Sequence, residues 1–269
     1  DLSNKYILIS TLVLGLAFFI GFWDDYLKIF QNKGKGLKAK YKLILLIILS
    51  LIVSFLILNL KQQFPVTTLT FPILKNLKFE IGYFYIIIIA LVVIGTSNAV
   101  NLTDGLDGLA SGCLIFAFLT FAVMSYVTGH QNFANYLNLD FIVIAGELTV
   151  ICATIAGSLI SFLWFNAPPA EIFMGDTGSI SLGATLGVIA ILIKQEIILI
   201  LIGFIFVAET LSVILQVSTF QVLGKRIFKM SPIHHHFELK GIPESKIVIR
   251  FWIIAILSCI LALATLKLR

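Results

Sequence analysis

The chain has 269 residues, of which 59% are hydrophobic and only 12% are charged, and its formal net charge is +5. A mean hydropathy of +1.05 excludes a soluble globular domain and is typical of a protein that crosses a membrane several times. We therefore expect the lipid bilayer to surround the chain, and we expect no nucleic-acid partner.

Eight apolar runs come close to the roughly 20 residues that a membrane-spanning helix requires. They cover residues 6–23, 43–60, 81–97, 109–128, 141–165, 179–193, 197–220 and 248–266. The sixth run is short, and its Gly183 and Gly187 form a Gly-x-x-x-Gly pair that favours close helix packing. These runs predict an all-α fold, a polytopic transmembrane helical bundle that forms one domain over residues 1–269.

Several polar or reactive side chains lie within the predicted spans. Cys113, Cys152 and Cys259 share no metal-ligand spacing, so we interpret them as small core residues that form no disulfide framework. Glu147 and Glu209 are candidates either for function or for structural pairing, because a carboxylate in a membrane costs roughly 2.5 kcal/mol or more unless it faces the bundle interior.

The cations of the connecting loops indicate the orientation of the bundle. The first and seventh loops are rich in lysine and arginine, whereas the even-numbered loops are poor in them, so the positive-inside rule places the odd-numbered loops in the cytoplasm. The polar clusters should then converge on one membrane face, because all of them lie in odd-numbered loops. They are Asp24 and Asp25 in the first loop, Asp104 and Asp107 in the third, Asp176 in the fifth, and His234, His235 and His236 in the seventh.

In the third loop, Asp104 and Asp107 are each followed by glycine between two apolar runs. We expect Asp104 to cap a helix that continues through Leu109, which would place both carboxylates on one face of its first turn. A helix start with bare glycines suits a phosphate or diphosphate, and the carboxylates can hold the divalent cation that neutralises it. The alternative is a capping box, in which Asp107 reaches back to a backbone amide.

The first and fifth loops offer further carboxylates. In a helix that continues past the membrane, Asp24 and Lys28 share one face, and Asp25 lies about 100 degrees away. This group can hold a metal and a phosphate together, or it can form an ordinary ion pair at a helix end. Asp176 lies at a second predicted helix N-terminus, framed by glycines, where it can bind a metal with Asn166 beside it or act as an N-cap.

Three consecutive histidines follow Ser231 and Pro232, which we interpret as the N-cap and first turn of a helix. On a helix the imidazoles of His234, His235 and His236 point about 100 degrees apart, so they cannot bind one zinc ion together. We interpret them as mostly neutral hydrogen-bonding groups for a phosphate, a sugar or a lipid head group. The alternative is that they are polar residues at a membrane edge with no ligand.

Four motifs follow one another along the chain: Asp24-Asp25-x-x-Lys28, Asn101-Leu-Thr-Asp104-Gly-Leu-Asp107-Gly-Leu-Ala110, Phe173-Met-Gly-Asp176-x-Gly-Ser179 and Pro232-Ile-His234-His235-His236-Phe237-Glu238. Together they resemble the polyprenyl-phosphate N-acetylhexosamine-1-phosphate transferase superfamily over essentially the whole chain. Within that superfamily, the contiguous triple histidine and the stretch from Phe165 are similar to the bacterial phospho-N-acetylmuramoyl-pentapeptide transferases.

The resemblance implies an enzyme of the bacterial cytoplasmic membrane whose active site faces the cytoplasm. Its partners would be UDP-N-acetylmuramoyl-pentapeptide and undecaprenyl phosphate, and its cofactor would be Mg²⁺. Its products would be the first lipid intermediate of peptidoglycan synthesis and UMP. The resemblance also implies a homodimer.

The resemblance further implies roles for individual residues. Asp176 would bind magnesium, and Asp24 and Asp25 would form a catalytic pair. Lys28 and Lys40 would contact phosphates, Asn101, Asp104, Asp107 and Phe173 would shape the uridine and diphosphate pocket, and Asn166, His234, His235 and His236 would complete the site, with His235 counted among the catalytic residues.

Members of this family usually begin with two further spans and a cytoplasmic loop rich in glycine, threonine and proline that contributes to the nucleotide site. The sequence begins at Asp1 without them. We therefore expect an N-terminally incomplete chain and ten spans in the intact protein.

For the reaction we expect direct attack of the lipid phosphate on the sugar-bearing phosphorus, with Asp24 or Asp25 as base or orienting group. A two-step route through an aspartyl phosphate stays open. Among rival functions, a CDP-alcohol phosphotransferase would need a different continuation of its motif, because Ser111 follows Ala110. A sister transferase that uses UDP-N-acetylglucosamine shares the aspartates, and an ion-coupled transporter would place its carboxylates near the bilayer midplane.

Overall fold

The computed structural model describes residues 3–30, 36–60, 66–71 and 78–267. Within these ranges the chain forms a helical bundle with one short strand pair, which confirms the predicted fold class. The helices are α1 (Lys5–Phe30), α2 (Ala39–Leu58), α3 (Tyr85–Thr103), α4 (Leu109–Thr128), α5 (Gln131–Leu137), α6 (Leu148–Asn166), α7 (Gly175–Leu192), α8 (Glu196–Ile202), α9 (Phe204–Leu223), α10 (Ile233–Glu238) and α11 (Glu244–Thr265).

Eight helices of the described part of the chain are long and apolar enough to cross a membrane, namely α1, α2, α3, α4, α6, α7, α9 and α11. In α4 and α7, 72% of the residues in the apolar 18-residue stretch of the helix are buried, against 28 to 33% in the other six helices. The two buried helices therefore form the centre of the bundle, and the others present apolar side chains such as Phe55 and Leu91 outward, as helices in lipid do.

The seventh predicted span, residues 197–220, is two helices rather than one. Helix α8 ends at Ile202, and α9 begins at Phe204 after Gly203, whose ψ of 24° is not helical. Glycine has a low helix propensity, and hydropathy alone does not reveal such a break. The fifth predicted span also begins later than expected, because its helical part starts with a 3₁₀ turn at Ala145–Glu147 and continues as Leu148–Asn166. Glu147 lies exposed directly before α6.

Helix α7 packs closely against α3 through the predicted glycine pair. A Cβ on Gly183 would lie 2.6 Å from the carbonyl oxygen of Thr96, and one on Gly187 would lie 2.5 Å from the Thr96 hydroxyl. On the other side, a Cβ on Gly21 of α1 would lie 2.3 Å from the carbonyl oxygen of Asp176. These contacts bring the carboxylate-bearing ends of α1 and α7 together. The cysteines Cys113, Cys152 and Cys259 are free and buried, which confirms their interpretation as core residues.

A strand pair lies at the opposite end of the bundle. Strands β1 (Thr68–Thr70) and β2 (Lys78–Glu80) are antiparallel, with Thr68 opposite Glu80. The Lys194 ammonium donates to the carbonyl oxygen of Thr68 at 3.3 Å and to the Tyr85 hydroxyl at 2.9 Å, and the Tyr85 hydroxyl donates to Glu196. This buried polar group holds the strand pair against α3 and α8.

Candidate active site

Three carboxylates meet where α1 approaches the first turn of α7. One ligand oxygen of each of Asp24, Asp25 and Asp176 lies within 4.8 Å of the others. Oxygen ligands at this spacing suit a hard divalent cation, so the residues present fit a metal of the Mg²⁺ type. The convergence of the first and fifth loops, predicted from the alternation of the spans, is confirmed.

Asp25 caps helix α7 from a neighbouring helix. Its Oδ2 accepts hydrogen bonds from the Thr177 backbone N–H at 2.8 Å and from the Thr177 hydroxyl at 2.7 Å, and its Oδ1 accepts from the Asp176 N–H at 3.3 Å. Gly175 allows this approach, because its φ is +63° and a Cβ there would lie 2.9 Å from Asp25 Oδ2. The carboxylate thus satisfies N–H groups that a helix start leaves unpaired.

Asp24 is only 3% exposed and anchors the segment that leads into α2. Its Oδ1 accepts the backbone N–H of Leu37 at 2.5 Å, and its Oδ2 accepts the Lys28 ammonium at 2.6 Å. Gly36 is required for this contact, since a Cβ there would lie 2.5 Å from Asp24 Oδ1. Asp24 therefore links the lysine-rich first loop to the carboxylate cluster.

Two lysines place ammonium groups on the cluster. Lys28 Nζ lies 2.6 Å from Asp24, 3.3 Å from Asp25 and 3.0 Å from Asp176. Lys42 Nζ lies 2.6 Å from Asp176 Oδ2 and 3.4 Å from the Asn101 Oδ1. Cations this close to carboxylates are available for phosphate oxygens that enter the same site.

The resemblance implies that Lys40 contacts phosphate, whereas in the structure Lys42 is the residue that contacts Asp176. Lys40 is exposed at the start of α2. Lys42 is four residues before Leu46, which begins the buried stripe of α2 that continues with Leu49 and Val53. The helical spacing of these buried residues identifies Lys42, because residues four apart lie on one face of a helix.

Asn101 holds Asp176 in place from α3. Its Nδ2 donates to Asp176 Oδ1 at 2.8 Å and to the Ser179 hydroxyl oxygen at 2.9 Å. Ser179 in turn donates to the carbonyl oxygen of Gly175 at 2.8 Å. Asp176 thus lies at the start of α7, as predicted, but it accepts side-chain donors from α2 and α3 and does not cap its own helix.

The expected helix start at Asp104 is wrong. Helix α3 continues through Thr103, and Asp104 is the residue that ends it, while α4 begins at Leu109 after Gly108. Gly108 has a φ of +75°, a left-handed conformation that interrupts the helix, so Asp104 and Asp107 lie in a loop and not on one helical face.

The two loop carboxylates have different surroundings. Burial and then the charge of Asp176 raise the pKa of Asp104 to about 7, although a hydrogen bond from the Gly175 backbone opposes this shift. Asp107 Oδ2 accepts the Ala170 N–H at 2.9 Å, and the Asp107 N–H donates to Glu244 Oε1 at 2.9 Å. Asp104 therefore lies within range of the Asp176 charge, whereas Asp107 connects the loop that contains Ala170 to the start of α11.

Asn166 and Phe173 bracket the fifth loop. Asn166 is buried, accepts the Ser111 hydroxyl at 2.8 Å and donates to the carbonyl oxygen of Ile172 at 2.8 Å. Its amide therefore holds the loop, and the expected position beside the Asp176 carboxylate is not seen among the described contacts. Phe173 is 75% exposed two residues before α7, where its ring is accessible to a ligand.

Helix α10 begins at Ile233 after Pro232 and is not capped by Ser231. Its three histidines have different partners, although the rings of His234 and His235 lie 4.1 Å apart. His234 is fully buried, with Nδ1 3.1 Å from Glu209 Oε1, and this burial contradicts a direct substrate contact for it. Glu209 thus faces the bundle interior beside His234, which fits the pairing interpretation. Beneath His234, a Cβ on Gly105 would lie 2.4 Å from Nε2, so the third loop packs directly on this imidazole.

The other two histidines are accessible. His235 pairs with the Glu238 carboxylate one turn later. His236 Nδ1 accepts the Lys229 backbone N–H at 3.1 Å, and slight burial and then the charges of Lys240 and Lys229 lower the pKa of His236. A neutral imidazole at His236, as predicted, fits this environment.

An apolar cavity of about 370 Å³ lies between α3, α8 and α9. Its lining includes Leu69 at the strand-pair end and Val100 at the end that carries the site. Val100 directly precedes Asn101, whose amide contacts Asp176. The apolar lining of the cavity therefore extends along α3 as far as the residue before Asn101.

Comparison with known proteins agrees with this geometry. The sequence profile of glycosyl transferase family 4 matches residues 7–194. The chain is 53% identical to the phospho-N-acetylmuramoyl-pentapeptide-transferase of Rickettsia felis, 52% identical to that of Rickettsia canadensis and 51% identical to that of Desulforapulum autotrophicum. These alignments cover 100% of this chain and 74 to 75% of each relative. The chain therefore belongs to glycosyl transferase family 4, among the phospho-N-acetylmuramoyl-pentapeptide-transferases.

Proposed function

We propose that the protein transfers phospho-N-acetylmuramoyl-pentapeptide from its UDP conjugate to undecaprenyl phosphate, forming the first lipid intermediate of peptidoglycan and UMP. The observation that carries the proposal is the meeting of three carboxylates and two lysines in a bundle that also contains an apolar cavity. A diphosphate needs cationic partners, and a polyprenyl chain needs apolar surroundings, so the two features together fit this pair of substrates.

We propose Mg²⁺ as the cofactor, held by Asp176 with Asp24 and Asp25 available beside it. A cation bound there would neutralise the diphosphate of the nucleotide substrate. Asp176 has a defined orientation for this role, because Asn101 Nδ2 holds its Oδ1 at 2.8 Å and Lys42 Nζ holds its Oδ2 at 2.6 Å.

The chain's own residues supply the rest of the electrostatics. The acceptor phosphate has a second pKa near 6 and is already mostly dianionic at neutral pH. The main obstacle is therefore the repulsion between two phosphate anions as they approach. The ammonium groups of Lys28 and Lys42 would reduce this repulsion by binding phosphate oxygens. Asp24 or Asp25 would orient the acceptor or accept its last proton, and Asn101, Asp104, Phe173 and His235 would contact the nucleotide sugar.

We propose that the site faces the cytoplasm of a bacterial inner membrane. The cation-rich first and seventh loops lie at the same end of the bundle as the carboxylate cluster, and the positive-inside rule assigns that end to the cytoplasm. A UDP-linked substrate of the cytoplasm can reach a site there directly. A homodimer is proposed by family resemblance.

The test is UMP release by the intact protein from UDP-N-acetylmuramoyl-pentapeptide, undecaprenyl phosphate and Mg²⁺. We expect release to require all three and to be lost in Asp176→Ala. The matched control is Asp140→Ala, which removes a carboxylate paired with Lys78 at the opposite end of the bundle. UMP release from UDP-N-acetylglucosamine instead would show that the protein is the sister transferase that uses this donor. No UMP release with either donor would contradict the proposal.

A second measurement separates the two chemical routes. With donor substrate but without lipid acceptor, direct attack predicts no labelled protein. A phosphoryl group trapped on an aspartate under these conditions would overturn direct attack and support the two-step route.

A further inference from the structure

A second charged cleft lies at the site end of the bundle, between the last turns of α9 and the loop that leads to α10. Its volume is about 520 Å³, and its lining includes Arg226, Lys229, Gln221, Ser231 and Phe220. We call it the Arg226–Lys229 cleft. None of the sequence motifs assigned to the transferase includes these residues.

The cleft has a fixed floor. Gln216 of α9 is buried, and its Oε1 accepts the backbone N–H groups of Ile227 at 3.1 Å and Phe228 at 3.0 Å. Its Nε2 donates to the carbonyl oxygen of Phe228 at 2.9 Å. One side chain thus satisfies three backbone groups and holds the loop that carries both cations against the helix.

The two cations are positioned by different partners. Lys229 Nζ donates to the carbonyl oxygen of Leu239 at 2.8 Å, and an ammonium keeps further N–H groups for a ligand after one such bond. The Arg226 guanidinium lies over the Phe220 ring, 5.7 Å from its centroid, and a stacked guanidinium keeps its in-plane N–H groups for other acceptors. Both donors therefore remain available to an anion in the cleft.

The charges around the cleft are mainly positive. Residues 216–243 contain four cations, Lys225, Arg226, Lys229 and Lys240, and one carboxylate, Glu238, which pairs with His235. Hydrogen-bond donors from Gln221 and Ser231 lie in the same lining. This combination of cations, an amide and a hydroxyl is suited to the oxygens of a phosphate.

The rim of the cleft is apolar and exposed. Phe220 is 52% exposed and Met230 46%. Phe220 lies on α9, which is long and apolar enough to cross a membrane, and Met230 lies in the loop that follows it. Apolar side chains beside cations at a helix end are typical of the depth at which lipid head groups lie.

We propose that the Arg226–Lys229 cleft binds the head-group phosphate of an anionic phospholipid of the surrounding bilayer. The cations and polar donors would hold the phosphodiester, and the apolar rim would pack against the first part of the acyl chains. This inference does not depend on the transferase reaction, because its ligand is a membrane component.

The experiment measures thermal unfolding of the purified protein in detergent without nucleotide. The added probes are short-chain phosphatidylglycerol, short-chain phosphatidylcholine and inorganic phosphate, each titrated separately. We expect phosphatidylglycerol alone to raise the unfolding temperature. In Arg226→Gln/Lys229→Gln, its apparent affinity should fall by about tenfold or more.

The matched control is Lys225→Gln/Lys240→Gln, which removes the same charge outside the cleft lining and should keep the wild-type response. Arg226→Gln alone preserves the Lys229–Leu239 bond, so it should lose part of the response even if the double variant folds poorly. Equal shifts with phosphatidylcholine, or equal losses in the two double variants, would overturn the proposal. A shift with inorganic phosphate alone would also overturn it and indicate a soluble anion.

Discussion

Lys42 and Asp176 are 134 residues apart in the chain, yet the Lys42 ammonium lies 2.6 Å from Asp176 Oδ2. The contact joins the start of α2 to the first turn of α7. It sets a positive charge beside the carboxylate that we propose as the metal ligand. Lys40, two residues earlier, is exposed and does not share this position.

Lys42→Met should therefore lower kcat/KM by about a hundredfold or more, because a fixed cation beside a phosphoryl group stabilises the charge that develops in the transition state. Lys40→Met is the matched control and should remain within a few-fold of the wild type. Both are measured as UMP release. An equal loss of kcat/KM in the two variants would show that the lysine run acts through its total positive charge and not through the contact of Lys42.

Asp25 has two separable properties, its charge and its hydrogen bonds to the start of α7. Asp25→Asn keeps an oxygen for the Thr177 N–H, whereas Asp25→Ala removes the cap and should lower the free energy of unfolding by about 0.5–2 kcal/mol. We expect Asp25→Asn to unfold close to the wild-type temperature but to lose turnover. If Asp25→Asn keeps its turnover, Asp25 is only a helix cap and not part of a catalytic pair.

Asp104 should make stability depend on pH. Burial and the Asp176 charge raise its pKa from 3.8 to about 7, so the folded state holds a proton that the unfolded state has released. Stability contributed by the neutral carboxyl should therefore fall as pH rises from about 4 to about 7 and stay level above that.

The measurement is the unfolding temperature against pH with a chelator present, in the wild type and in Asp104→Asn. The difference between the two proteins isolates Asp104 from the histidines that titrate in the same range. The variant should lose this part of the slope. Parallel curves for the two proteins would contradict a raised pKa for Asp104.

Gly105→Ala should disturb the buried histidine beneath the third loop. The new Cβ would lie 2.4 Å from His234 Nε2, and such overpacking costs about 1–3 kcal/mol. Gly157→Ala in α6 is the matched control, because nothing lies within 4 Å of its added Cβ. Unfolding temperatures compare the two. A stable Gly105→Ala protein would mean that His234 can leave its contact with Glu209 at little cost.

Much of this architecture follows from local sequence. The spans could be predicted because membrane insertion depends on hydropathy summed over about 20 neighbouring residues. Their alternation then predicted that the odd-numbered loops would meet, and Lys42–Asp176 and Asp107–Glu244 show that they do. Hydropathy does not reveal the break at Gly203, because one glycine changes the mean hydropathy of a span very little.

The amino-acid sequence alone thus determined the helical bundle, the candidate carboxylates and the family. The tertiary structure decided which partner each group has: Asp25 caps α7, Lys42 contacts Asp176, and His234 is buried against Glu209. These choices depend on how closely helices approach one another, which glycines such as Gly21 permit over distances of a few ångströms. Hydrophobic patterning acts along one helix, whereas hydrogen bonds and ion pairs form between helices, so the site's contacts become defined only when the bundle packs.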